Sequence, residues 1–404
     1  MSQRLKRILL IIGFVLSVFA FAFILYALFF RSAPPEATVE DTEEELTGVL
    51  PSSGEGGVRG DDDTTGEGVG LTEADTVARG GVTATTTLTT SEVTDTVING
   101  NDVNYYDPTD GRFYTINEDG EVVAMSSTQF PEVETVVWNK DSEKALLEFP
   151  DGSNIIYDFE TEDQVTLPDH WEDFDFSPVT DEIIAKSIGL DPNNRWLVIA
   201  SDDGSQTESI AALGQNESKV DVNWSPNDQV VAFADTVESR EGGFDRRFII
   251  PVGKNEENFK GLTVEGLDFI SLWSPNGKQL LYSVAGEYSD FKPLIWLVEA
   301  TSNTMGNDRH SLGLNTWADK CTWHSSSEVY CAVPTALKSS AGLQRSLSDV
   351  GPDVIYYIDV KTGRASLLAI PEDDTVISGL WVSDDGTKLY FTNDNGQLQL
   401  MYLR

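Results

Sequence analysis

From about residue 96 onward, apolar positions come in short alternating runs broken by Gly, Pro, Asn, Asp and Ser. That period of two predicts short β-strands joined by turns. In "LWSPNGKQLLYSV" (272–284) a strand ends at an aromatic residue. Pro275 presets the first turn position and Gly277 takes a left-handed one. The next strand then points Leu280 and Tyr282 one way and Leu281 the other. Aligned on the aromatic, the phrase recurs at Trp138, Phe176, Trp224, Trp273, Trp323 and Trp381, with separations of 38, 48, 49, 50 and 58 residues by subtraction. Repeats of about 40–50 residues built of strands predict propeller blades or a solenoid.

Third strands follow, such as "SNIIYDF", "FKPLIWLVEA" and "DVIYYIDV", then fourth strands such as "DQVTLP" and "RASLLAI". Four antiparallel strands with two apolar faces describe a blade packed between neighbours, its large aromatics filling the gaps. The last repeat already has three strands, and "DVNYYDPTDGRFYTINEDGEVVAMS" before the first supplies three more. The fold class expected is all-β, a β-propeller of seven blades, with six as the alternative. "VTATTTLTT" (82–90) is read as the missing strand of the last blade, joining the two ends of the ring and covering an edge.

The phrase "W-S-P-[ND]-G-K-x-L-x-[FY]", best kept at 273–282 and partly at 224–233 and 381–391, resembles the TolB-like, PD40 (WD40-like) propeller repeat. The resemblance covers roughly residues 99–404 and implies a propeller used mostly to bind proteins or small ligands. It departs from TolB itself in showing no amino-terminal α/β domain and in carrying an apolar amino-terminal run.

That run, residues 8–30, holds no charge. As a helix it is roughly 34 Å long, enough to span a bilayer core of about 30 Å. Arg4, Lys6 and Arg7 precede it and acidic sequence follows, which places residues 1–7 in the cytoplasm and the rest outside. A cleaved signal peptide is the competing reading, but the run is long for one and "RSAPPEA" is a poor cleavage site. Residues 31–95 are acidic, Gly-rich and nearly free of aromatics, and are read as a flexible linker. The propeller is assigned to 96–404, on the extracytoplasmic side of the cell membrane.

The 404 residues carry a formal net charge of −40. Nucleic acid and anionic lipid headgroups are poor partners for such a chain. Cys321 and Cys331 are the two cysteines. With Trp273 placed opposite Gln279 and Ser271 opposite Leu281, a shift of fifty residues sets Cys321 opposite Cys331. Outside the cytoplasm this predicts a cross-strand disulfide.

Catalytic signatures are sparse. His170, His310 and His324 sit in no metal or triad motif, and neither H-E-x-x-H nor G-x-S-x-G occurs. Carboxylate pairs such as "DHWEDFDF", "SDDG" and "PEDD" arise freely in so acidic a chain, so no catalytic residue, metal or cofactor is assigned. Loop length points instead to a binding face. "SIGLDPNNR" (187–195), "DTVESREGGFDRR" (235–247) and "PTALKSSAGLQRSLSDVGPD" (334–353) all follow second strands and rise on one rim. Arg240, Arg246, Arg247, Lys338 and Arg345 lie in or beside them, and the inter-blade segments add Trp171 and Trp317. Aromatics with arginines are common interface anchors, although both Trp residues also suit a role capping the blades.

The function expected is a membrane-anchored scaffold that binds a protein or ligand at the cell envelope. The alternatives are an envelope hydrolase acting on glycan or peptide at the propeller mouth, and the outer sensing module of a membrane complex.

Overall fold

The computed structural model describes residues 74–237, 245–255 and 257–403. The anchor reading for 8–30, the cytoplasmic tail, most of the linker and Arg240 lie outside the described residues. Among the described residues no helix is long and apolar enough to cross a membrane. They form seven antiparallel sheets, spanning residues 94–124, 135–167, 171–212, 220–265, 267–311, 321–371 and 379–402, which we number blades 1 to 7. Within each blade the chain steps from the innermost strand outward. Innermost strands touch between blades 1 and 2, 2 and 3, 3 and 4, and 6 and 7, and blade 7 meets blade 1. Blade 5 packs on blades 4 and 6 through shared apolar clusters, so the ring is closed. The protein is a seven-bladed β-propeller.

The repeated phrase makes this ring because each blade is apolar on two faces. Trp273 stacks on Phe233 of blade 4 at 5.5 Å, in a cluster with Val230, Leu262, Leu280 and Tyr282. Leu281 faces the other way, into the cluster shared with Cys331 and Ile358 of blade 6. Trp138, Phe176, Trp224 and Trp323 likewise pack toward the preceding blade. The turn chemistry is local. Ser274 Oγ accepts the Gln279 N–H at 3.0 Å, Asn276 Oδ1 accepts the Lys278 N–H at 2.9 Å, and Gly277 has φ +62°. A Cβ on Gly277 would lie 2.7 Å from Asn227, whose amide donates to the Gly277 carbonyl from the equivalent turn of blade 4.

Two sequence expectations need correction. Trp381 faces blade 1, beside Tyr105 and Tyr390, while Leu380 and Val382 face blade 6. Val382 pairs with Leu389 as Trp273 pairs with Leu280, so Val382 holds the equivalent position. A shift of one residue turns a side chain to the opposite face of a strand. The second correction is register: Trp273 lies opposite Leu280 and Ser271 opposite Tyr282, one residue beyond the expected pairing.

Cys321 nevertheless lies opposite Cys331, because the blade 6 hairpin is tighter, with a bulge between Trp323 and Ser325 and Ser325 opposite Glu328. The two sulfurs form a disulfide, with Cα atoms 4.0 Å apart. It closes a loop of 10 residues, so reduction should cost about 2–3 kcal/mol on chain-entropy grounds. Melting with and without reductant checks this, and alkylation without reductant should label neither thiol.

The alternating 82–90 segment closes the ring. Thr86–Thr87 pairs antiparallel with Leu400 and Gln399 as the outer strand of blade 7. Just before it, Val82–Thr83 runs parallel to Ile370–Pro371, adding a fifth strand to blade 6. The strap therefore spans two blades. The boundary drawn at 95/96 from composition is too late, since residues 75–95 belong to the propeller.

Candidate binding face

Antiparallel blades put second-to-third-strand loops and inter-blade segments on one rim. The longest described loop there, after Pro334 of blade 6, holds a 3-10 turn at Ala341–Leu343 and a short helix at Arg345–Ser348. It is fastened by polar contacts. Lys320, fully buried in the segment entering blade 6, gives 2.7 Å bonds to Asp349 Oδ1 and Asp353 Oδ2. Asp353 also accepts the Ile377 N–H at 2.7 Å, tying in the segment that enters blade 7. Arg345 pairs with Asp319, and its guanidinium lies 4.8 Å from the Trp317 ring centre. On blade 5, Gly342 N–H donates to the Phe291 carbonyl at 2.9 Å, and a Cβ there would sit 2.4 Å from Ala285.

This fastened loop holds three aliphatic side chains in solvent: Leu343, Leu347 at 74 % exposure and Val350 at 70 %. Leu190 on the blade 3 loop and Tyr288 on the blade 5 loop are also exposed on this rim. On the opposite rim, among the described residues, Val179 is the exposed large aliphatic residue of the hairpin turns.

The structure joins some of the expected face residues and separates others. Arg345 and Trp317 meet as cation and ring, but Trp317 is fully buried and Trp171 is 7 % exposed, within the cluster of Leu146 and Phe176. Both are packing residues, not exposed anchors. Lys338 is exposed. Arg247 Nε lies 3.8 Å from Asp235, and Arg246 lines a cavity of about 420 Å³ with Glu265, Glu287 and Tyr288. Arginine and tryptophan positions alone do not point to Leu343, Leu347 and Val350. Their signal was three aliphatic residues in the otherwise polar "GLQRSLSDVG".

A ring of carboxylates at the mouth was also missed. Glu134, Glu172, Asp173, Asp221, Asp268 and Asp319 each lie three to five residues before a blade aromatic, at or near the rim end of an innermost strand. In blades 1, 3 and 5 that strand is bulged, with Asp95, Asp173 and Asp268 at φ between 49° and 58°. A bulge re-aims its side chain. Lys186 pairs with Asp173 at 2.5 Å. Partial burial raises Asp221 and Asp268; Asp173 adds to the first against Lys186, while Asp319 and Asp221 add to the second against Arg345.

Glu148, opposite Thr135 in blade 2, is raised by burial to about 7, with Asp173, Glu172 and Glu134 adding to the rise against a backbone N–H bond from Asp173. The folded state then keeps a proton that the unfolded chain releases near 4.5, so stability falls as pH climbs from about 4.5 to 7. Stability at pH 5 should exceed that at pH 8 by about 1–2 kcal/mol from this group, discounted for its partial exposure. Glu148→Gln should remove that share, as melts at the two pH values would show.

His170, His310 and His324 stand apart, on the segment entering blade 3, the outer strand of blade 5 and the inner strand of blade 6. Among the described residues no group of three or more His, Cys, Asp or Glu is placed to hold a metal ion.

No family model matches the chain. No curated protein matches it either. Among solved structures it resembles an oligogalacturonate lyase in complex with manganese, at 14 % identity and TM-score 0.55, covering 79 % of this chain and 93 % of that one. The oligogalacturonate lyase of Vibrio parahaemolyticus gives 11 % identity and TM-score 0.54 with the same coverage. The β-propeller domain of Myceliophteria thermophila Cps50 (Swd1) gives 10 % and 0.52, covering 79 % of this chain and all of that one. At such identity the likeness is one of fold, and it agrees with the ring of seven sheets: the chain is a β-propeller.

Proposed function

We propose that this chain is a binding module, a propeller with TolB-like blades held outside the cytoplasmic membrane by residues 8–30, whose long-loop rim engages a protein of the cell envelope. The observation that carries this reading is the blade 6 loop, which keeps Leu343, Leu347 and Val350 in water while Lys320, Arg345 and Gly342 fix its backbone. Ordering that loop without a partner leaves apolar area exposed, and preorganised apolar anchors favour association. Pull-down from solubilised envelope tests it. Leu347→Asp should remove the partner recovered by the wild-type protein, while Val179→Asp on the other rim should not. Equal recovery with Leu347→Asp would defeat the reading.

A second reading, an enzyme acting on envelope glycan or peptide, is favoured by the raised carboxylates of Glu148, Asp221 and Asp268 at the mouth. Two solved neighbours are oligogalacturonate lyases, which adds to its interest. Turnover of an envelope polysaccharide that disappears in Glu148→Gln would establish it.

A further inference from the structure

The exposed loop of blade 6 borders the acidic mouth on its inner side. The Ala341–Leu343 turn packs on the Leu267–Trp273 strand, and Asp268 lies within the field of Arg345 and Asp319. Between blades 4 and 5 a cleft of about 210 Å³ opens beside it. Its carboxylates are Asp221, Asp235 and Asp268, and its apolar lining is Phe233, Ile249 and Phe269. Lys219 lines one side. We propose that this face takes a protein segment that is both cationic and apolar. A Lys or Arg side chain enters the cleft while its apolar neighbours rest on Leu343, Leu347 and Val350. The inference rests on the binding-module reading and gives the chemistry of its partner.

The cleft suits a long cationic side chain because it offers both halves of what such a chain needs. The methylene stem covers the partly exposed Phe269 ring, and the charged head reaches carboxylate oxygens. Among the described residues the nearby cations are engaged by other carboxylates. Lys186 is held by Asp173, and Arg345 is held between Asp319 and the Trp317 ring. Arg247 is 3.8 Å from Asp235, and among the described residues neither Asp221 nor Asp268 has an ion-pair partner within 4 Å. Asp221 and Asp268 are both open to solvent, so an arriving side chain can reach them. Partial burial raises both carboxyls, against the pull of Lys186 on the first and Arg345 on the second, and a further cation would favour their charged forms.

The same charge excludes other occupants. A second copy carries the same net charge of −40 and would bring like carboxylates together on a two-fold face. An anionic lipid surface or a nucleic acid is repelled. A small free polyamine satisfies the cleft but leaves the three aliphatic side chains in water.

The test uses the full chain in neutral detergent, with signal from empty micelles subtracted. The probes are synthetic peptides alternating Lys with Leu, Glu with Leu, and Lys with Ser, together with free spermine. The Lys–Leu peptide should bind tightest, and binding should weaken as salt is raised. Asp221→Asn combined with Asp268→Asn should weaken it by about tenfold with no fall in melting temperature, and Leu347→Ser by a similar factor. Equal binding of the Glu–Leu peptide would overturn the cationic requirement. Spermine or Lys–Ser binding as tightly as Lys–Leu would overturn the apolar one. The envelope pull-down separates the two levels. A partner lost with Leu347→Asp but indifferent to salt and to the double Asp variant refutes this inference and leaves the binding module standing. A partner retained by Leu347→Asp refutes the module itself.

Discussion

Lys320→Met should destabilise the propeller by about 3–5 kcal/mol, because it strips the counter-charge from buried carboxylates. Lys320 has no solvent exposure, and both its partners lie at 2.7 Å. Asp353 is also fully buried, and burial already raises its carboxyl against the pull of Lys320 and the Ile377 N–H. Without the ammonium that carboxyl rises further. The folded variant then holds a proton that the unfolded chain releases near 3.8, so its stability falls as pH climbs above that value. The melting temperature should drop by about 5–15 °C at neutral pH and partly recover on acidification to pH 5. Lys320→Met with Asp353→Asn should regain most of the loss, since replacing both members of a buried pair costs far less than removing one. A single-variant change below about 1 kcal/mol would refute this account of how the blade 6 loop is fixed.

Removing the strap, by starting the chain at residue 92, should cost about 3–6 kcal/mol from the hydrogen bonds and apolar area it contributes. Those bonds include Ala78 N to Tyr402 O, Gly80 N to Leu368 O, Ile370 N to Gly81 O and Leu88 N to Leu398 O. Thr89 Oγ1 also accepts the Leu398 N–H at 3.0 Å. The larger consequence is kinetic. Leu398–Tyr402 becomes an open edge beside an apolar face, a template for pairing between chains. The truncated protein should melt at lower temperature and aggregate during refolding, as light scattering would show. A monodisperse truncated ring with an unchanged melt would mean that blade 7 closes by side-chain packing alone.

The fold was legible because its causes are local and repeated. An aromatic, a Ser-Pro-Asn-Gly turn and an alternating strand are each fixed within about a dozen residues, and repetition showed that each unit needs neighbours on two sides. Even the ring closure could be read, from β-branched alternation at 82–90 in an otherwise Gly-rich and acidic stretch. The limits were of one residue. Trp381 was aligned by residue type and faces the other way, and the disulfide pairing came out right because a register error in blade 5 matched a tighter turn in blade 6.

The working face was less legible. Trp171 and Trp317 could be read as surface anchors or as blade caps, because burial depends on which blade lies alongside, and Trp317 is covered by an arginine from a loop 28 residues further on by subtraction. The sequence by itself determined the blades, the turns and the excess of negative charge, because each follows from short-range pattern or from counting. Only the closed ring decided which of the many carboxylates converge at the mouth, which cations are already bound to them, and which aliphatic side chains remain in water. Proximity across blades is set by rotation about a common axis, and spacing along the chain carries little record of it.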